Sequence, residues 1–354
     1  MRRRDALRPT GSSGSNGSRR DFLRRNLQAG GLLGVVGALA GFGPNVRAAR
    51  SSAENPFAYD IGKFERTNPD LIHYAETARF QSPRPEPRRL ALGPDGALHM
   101  AAGNSVVRLA EGGAVEFEIA LAGPAQCLGV ARDGFVYVGL RDHIEVFDAR
   151  GQRTAVWSPP GSKTWLTGVA VGEDGLFAAD SGGRAVLRYD RSGRLLGRIG
   201  ERDKERGIPG FVLPSPFLDV ELQRDGLLRV NNPGRHRVEL YTASGDLELA
   251  WGKPTAAIDG FCGCCNPINL ATLPDGRCVT CEKGLRRVKV YSALGEFESV
   301  VAGPESFAQS VPPDVSMAKA ALDAVADAQG RIFILDPLAG EIRVMARTRG
   351  TASS

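Results

Sequence analysis

"DVELQRDGLLRVNNPGRHRVELYTASGD", Asp219 to Asp246, carries the pattern that decides the fold. A short apolar run meets the Asp225-Gly226 turn, and "LLRVN" follows at once. "VELY" (238–241) then alternates apolar and polar side chains and leads into a second turn at Gly245. Short alternating runs bounded by Asp-Gly pairs are antiparallel hairpins, because such pairs supply the positive φ that a tight turn needs.

The unit recurs. Matching turns stand at Asp95-Gly96, Asp133-Gly134, Asp174-Gly175 and Asp275-Gly276, with Gln329-Gly330 as the sixth. The third strand alternates in every unit, as "VVRL", "IEVF", "VLRY", "VELY", "VKVY" and "IRVM". Five of these strands lead into a glycine turn, at Gly113, Gly151, Gly193, Gly245 and Gly295. Six in-phase meanders of about four strands, roughly 40–55 residues each, indicate an all-β, six-bladed β-propeller spanning residues 73–348. "HYAETARF" (His73 to Phe80) reads as one further strand, expected to pair with the first blade and cover its edge.

"GGRAVLRY" (Gly182 to Tyr189), "GRHRVELY" (Gly234 to Tyr241) and "GLRRVKVY" (Gly284 to Tyr291) resemble the NHL repeat, with its Asn/Gly-His/Arg-x-Val-x-x-Phe/Tyr core. The resemblance implies the propeller but no single activity. NHL propellers include protein- and RNA-binding modules, lyases and lactonase-like enzymes. The chain also resembles exported bacterial NHL proteins that carry a "CGCCNP" stretch.

The N-terminus resembles a twin-arginine export signal. "SRRDFL" (Ser18 to Leu23) precedes a Gly-interrupted apolar segment, Ala29 to Phe42, and "VRA" (46–48) resembles a signal-peptidase site. A spanning helix needs about 20 predominantly apolar residues, and this run is shorter. Cleavage after residue 48 is expected, leaving a linker at 49–72 and a tail at 349–354 around the propeller. It would leave an exported, periplasmic protein with no stable membrane span. Residues 1–48 carry nine arginines and two aspartates, +7, whereas the whole chain is +5. The remainder is therefore −2, and the basic pI gives no argument for nucleic-acid binding.

Against this register the cysteines can be placed. In a blade the first strand runs to the Asp-Gly turn and the second returns beside it, so the start of one and the end of the other share a face. In the fifth blade those positions are Cys264-Cys265 and Cys281, with Cys262 on the loop ahead. Cys278 abuts the turn, about 10 Å along the strand from Cys281. The candidate site is therefore Cys262, Cys264, Cys265 and Cys281. Four thiolates suit zinc or an iron–sulfur cluster; an oxidising periplasm would instead favour a disulfide, with Cys262–Cys281 as the pair; buried inert thiols are the third reading. Adjacent side chains diverge in extended chain, an objection that a turn at Gly263 and Pro267 would relax. Cys127 and Cys278 are assigned to the core.

Six residues before each hairpin glycine's aspartate or glutamine partner lies a position near the channel: Arg89, Cys127, Gly168, Asp219, Asn269 and Asp323. Lactonase-like propellers bind a metal through such acids and amides. Asp219, Asn269 and Asp323 could hold calcium, or simply line a wet channel. The four histidines, His73, His99, His143 and His236, do not form a recognisable zinc triad, and no CxxCH is present.

Two functions follow. The first is a binding or redox-accessory propeller docking another exported or membrane-associated protein. Its partner face would carry Arg141, Arg184, Arg235, Arg286 and Arg287, with Trp157, Trp165, Trp251, Phe211 and Phe261 on the blade-entry loops. Stacking between blades is the competing reading for these aromatics. The second is a metal-dependent hydrolase or lyase at the channel mouth, which scarce histidine disfavours.

Overall fold

The computed structural model describes residues 62–158, 160–307 and 320–348. The arginine pair, the apolar run and Ala48 of the export reading lie outside them, as do the first part of the 49–72 linker and the 349–354 tail.

Each blade is a four-stranded antiparallel sheet. The strand that lies innermost begins at Pro87, Cys127, Leu166, Val220, Asn269 or Asp323, in blades one to six. Each inner strand abuts the next around the ring, and that of blade six abuts that of blade one. The fold is a six-bladed β-propeller. In five of the six hairpins the turn glycine has positive φ, between 77° and 94°. Asp95, Asp133, Asp225 and Asp275 each accept a hydrogen bond from the backbone N–H two residues on. This local bond is the reason an aspartate precedes the glycine.

Both faces of each sheet are buried against neighbours, so the apolar side chains sort into six clusters, one per blade interface. The core is thus a ring of slabs.

One expectation is corrected. The strand Tyr74–Gln81 pairs with Glu341–Arg347 and completes the sixth blade. Blade one already owns an outer strand, Val115–Ala120, whereas among the described residues the C-terminal repeat supplies three strands. The N-terminal strand thereby closes the ring.

The second-turn glycines tuck under the outer strand of the preceding blade. Gly295 has φ +90°, and a Cβ there would lie 2.1 Å from Trp251 Cγ. Trp251 is itself held against Tyr291, with ring centroids 4.9 Å apart. Gly295→Ala therefore adds left-handed strain of roughly 1–2 kcal/mol to an overpacking cost of about 1–3 kcal/mol. The expected result is a loss of about 2–5 kcal/mol in urea unfolding, read from the midpoint at unchanged slope.

Candidate functional site

The residues at the inner-strand position converge as the repeat register requires, and they hold a side chain where a metal was considered. The Arg89 guanidinium donates to Asn269 Oδ1 and Asp323 Oδ1 through Nη1, and to Asp219 Oδ1 through Nη2. Each acid is also fixed by the blade after it: Asp219 Oδ2 accepts from Leu270 N at 2.9 Å, and Asp323 Oδ2 from Leu90 N at 2.7 Å. Asn269 Nδ2 donates to the Leu322 carbonyl at 2.6 Å. The oxygens that would bind calcium are thus occupied by a cation the chain supplies itself. Calcium does not fit.

Burial would push the Arg89 guanidinium down, and the two carboxylates more than reverse this. Burial raises Asp219, and lifts Asp323 to about 6, in both cases against the pull of Arg89. Above the clamp a cavity of about 30 Å³ is lined by Arg88, Arg89, Pro216 and Phe217, among others. It has room for little more than a water molecule.

The cysteine stretch is built by its neighbours. Asn266 Nδ2 donates to the carbonyls of Cys262 and Lys283, at 2.7 and 2.9 Å, while its Oδ1 accepts from Lys283 N. The His236 ring bonds the Gly263 carbonyl at 2.6 Å. With Gly263 at φ +77°, the segment turns, and the sulfurs of Cys264 and Cys265 approach to 3.1 Å. The divergence expected of neighbouring side chains is thereby removed.

Cys264 is exposed and Cys265 is buried. Cys265 Sγ lies 2.8 Å from Ser215 Oγ, and Lys283 Nζ lies 3.4 Å from that same hydroxyl. Burial would raise the Cys265 thiol, but hydrogen bonding to Lys283, Ser215 and Cys264 brings it below the usual thiol range. Cys264 is raised, chiefly by its hydrogen bond to Cys265.

The other two candidates do not join them. Cys281 is fully buried in the apolar slab with Ile268, Phe217 and Val288. Burial pushes its thiol well up. Cys262 is half-buried and raised, first by burial and then by Glu282. All six cysteines are free thiols, Cys262 and Cys281 included. Among the described residues no three His, Cys, Asp or Glu side chains are placed to share a metal ion. The four cysteines do not fit a zinc or iron–sulfur site. Cys278 pairs across from Thr272, and Cys281 from Asn269, so they stand at opposite ends of one strand, as the register requires. Cys127 is core.

The arginines divide. Arg141, Arg184 and Arg235 are exposed, with Arg141 stacked 4.3 Å from the centroid of the half-buried Trp165 ring. Arg286 and Arg287 are corrected: they are buried in ion pairs with Asp336 at 2.5 Å and Glu282 at 2.8 Å, and cannot present themselves to a partner. Trp157, Trp251, Phe211 and Phe261 are buried and pack between blades.

Two participants lacked any mark of their own in the sequence. Ser215 and Lys283 reach Cys265 from blades four and five, and only the folded disc brings them together. Glu221 was readable, since it lies two residues beyond Asp219 on the same strand face.

Comparison with known protein families and with curated proteins finds no match. Solved structures do match. The chain is 14% identical to a streptogramin B lyase, covering 78% of this chain and 98% of that one at a TM-score of 0.54. It is 15% identical to a catalytically inactive virginiamycin B lyase from Staphylococcus aureus with quinupristin, covering 79% and 90% at 0.51. It is 10% identical to U3-55K, covering 76% and 98% at 0.52. At such identities the likeness is one of fold.

Proposed function

We propose that the chain is an exported redox-accessory propeller that docks another exported or membrane-associated protein and exchanges thiol for disulfide through Cys264 and Cys265. The observation that carries this reading is the 3.1 Å sulfur–sulfur approach, one sulfur exposed and the other seated against Ser215. Arg141, Arg184 and Arg235 supply an exposed basic fringe for docking. A metal-dependent hydrolase or lyase at the channel mouth is less supported, because Arg89 occupies the oxygens it would need.

The exchange has two steps. Cys264 Sγ attacks one sulfur of the partner's disulfide, its proton passes to Cys265, and the partner's other sulfur leaves as a thiolate. Cys265 then passes that proton to the departed partner thiolate and attacks Cys264 Sγ, expelling the second partner sulfur as a thiolate. The partner gains two electrons, and the chain is left with a disulfide between neighbouring residues.

The test uses 5,5′-dithiobis(2-nitrobenzoate) on a Cys262→Ser background, which removes the half-buried thiol nearby. Two nitrothiobenzoates should leave per chain, giving a protein two hydrogens lighter and free of adduct. Cys265→Ser should release one and keep the other bound. Cys264→Ser should react slowly, since Cys265 is buried. A parent protein that retains a single stable adduct would refute the exchange.

A further inference from the structure

Two residues below the Arg89 clamp, the inner strands present a second ring: Ala91, Gly129, Ala170, Glu221, Ala271 and Val325. All six line a cavity of about 200 Å³ in the channel. Five of the six are small or apolar. The sixth is a carboxylate with no hydrogen bond or ion pair to any described residue. It is also the only charged group lining that cavity.

The charges above it sharpen the point. Arg89 makes three N–H bonds to its three acceptors and none to Glu221. With Asp219 and Asp323 ionised the clamp carries −1, and ionised Glu221 brings the channel to −2. The Glu221 carboxylate is half-buried, and a charge partly withdrawn from water is costly without a counter-charge. One acid, however, is too few ligands for a bound metal ion. The alanine and valine side chains beside a single anion instead match a guest with one positive charge and a compact hydrocarbon body.

We propose that this cavity binds a small organic ammonium, with Glu221 taking its charged end and the Ala91, Ala170, Ala271 and Val325 side chains enclosing its body. The inference stands apart from the thiol reading, which concerns the other face of the disc.

The probe is tert-butylammonium, set against tert-butanol, which has nearly the same shape and no charge. Binding is followed by ligand-observed NMR of the tert-butyl signal at pH 9. Burial and Asp219 hold Glu221 up to about 8, with Asp323 adding to this and Arg89 and Arg229 opposing it. The buried Cys278 thiol, pushed up to about 12, stays neutral beside it. Glu221 is therefore ionised at pH 9.

The ammonium should bind at least about tenfold more tightly than the alcohol, a difference of 1.4 kcal/mol. Glu221→Gln should abolish that preference, and Val325→Phe, which fills the cavity, should abolish binding of both. Each variant is first shown to keep the parent far-UV spectrum. Equal affinity for the two probes, no binding of either, or undiminished preference in Glu221→Gln would overturn the proposal.

Discussion

Arg89→Met is expected to destabilise the propeller by about 3–5 kcal/mol at pH 8, the usual cost of removing one partner from a buried ion pair. Two carboxylates and an amide lose their shared donor at once, while the Arg89 side chain they surround is only 11% exposed. Methionine fills much of the volume, so the loss reports charge rather than a void. The pH dependence separates these further. Asp323 already sits at about 6 in the fold against 3.8 for the free side chain. An acid raised by folding contributes stability that is full below its unfolded value and is lost as pH rises through its folded value. In native protein that window runs from about 3.8 to 6. Without Arg89 both acids climb further, so the window widens upward and the deficit of the variant should shrink on going from pH 8 to pH 5. Urea unfolding at the two pH values measures it. A deficit of under 1 kcal/mol, or one that ignores pH, would mean that the clamp is not what ties the inner strands together. Adding Asp323→Asn to Arg89→Met should recover part of the loss.

The same ring shows how far the sequence can be read. Its six positions were legible because a β-hairpin has a fixed register, so a constant offset from each turn lands on one level of the channel. What filled the ring was on that very list as Arg89, yet a linear reading cannot say that blade one faces blades four to six across a closed circle. Ring closure itself had a signal. Four residues past "IRVM", where the other five units have their turn glycine, stands Arg349. Phe80, meanwhile, takes the same place over Gly113 that Trp251 takes over Gly295.

For the cysteines, strand pairing separated Cys278 from Cys281. The approach of Cys264 to Cys265 depends on a loop conformation that Asn266 fixes within the segment and that His236 and Lys283 fix from outside it, and no spacing rule contains it. Arg286 and Arg287 misled because each finds its acid elsewhere: Asp336 is 50 residues away, and Glu282 is hidden inside the blade.

Glu282→Gln should have a comparable effect, and it reaches the cysteine stretch. Glu282 is fully buried between Arg287 and Lys289, each 2.8 Å away and each itself buried. Those cations hold the loop ahead of Cys262: Arg287 Nη1 donates to the Ala256 carbonyl, and Lys289 Nζ to those of Ile258 and Gly260. The amide keeps the shape and removes the charge, leaving two buried cations without a counter-ion, at an expected cost of about 3–5 kcal/mol at pH 7. Burial has already brought Lys289 down to about 8, with Glu282 acting to hold it up. A lysine lowered by folding is destabilising while it must stay charged, and stability returns as pH rises from about 8 towards its unfolded value of 10.5. The variant lowers Lys289 further, so its deficit should be largest near neutrality and smaller at pH 9, where the amine is neutral and Arg287 alone stays unpaired. Losing Glu282 also removes a charge that raises the Cys262 thiol. Alkylation of Cys262 by iodoacetamide should therefore speed up, both from the lowered thiol and from the loosened loop. A variant with parental stability and parental Cys262 reactivity would show that the buried charges do not position this face of the fifth blade.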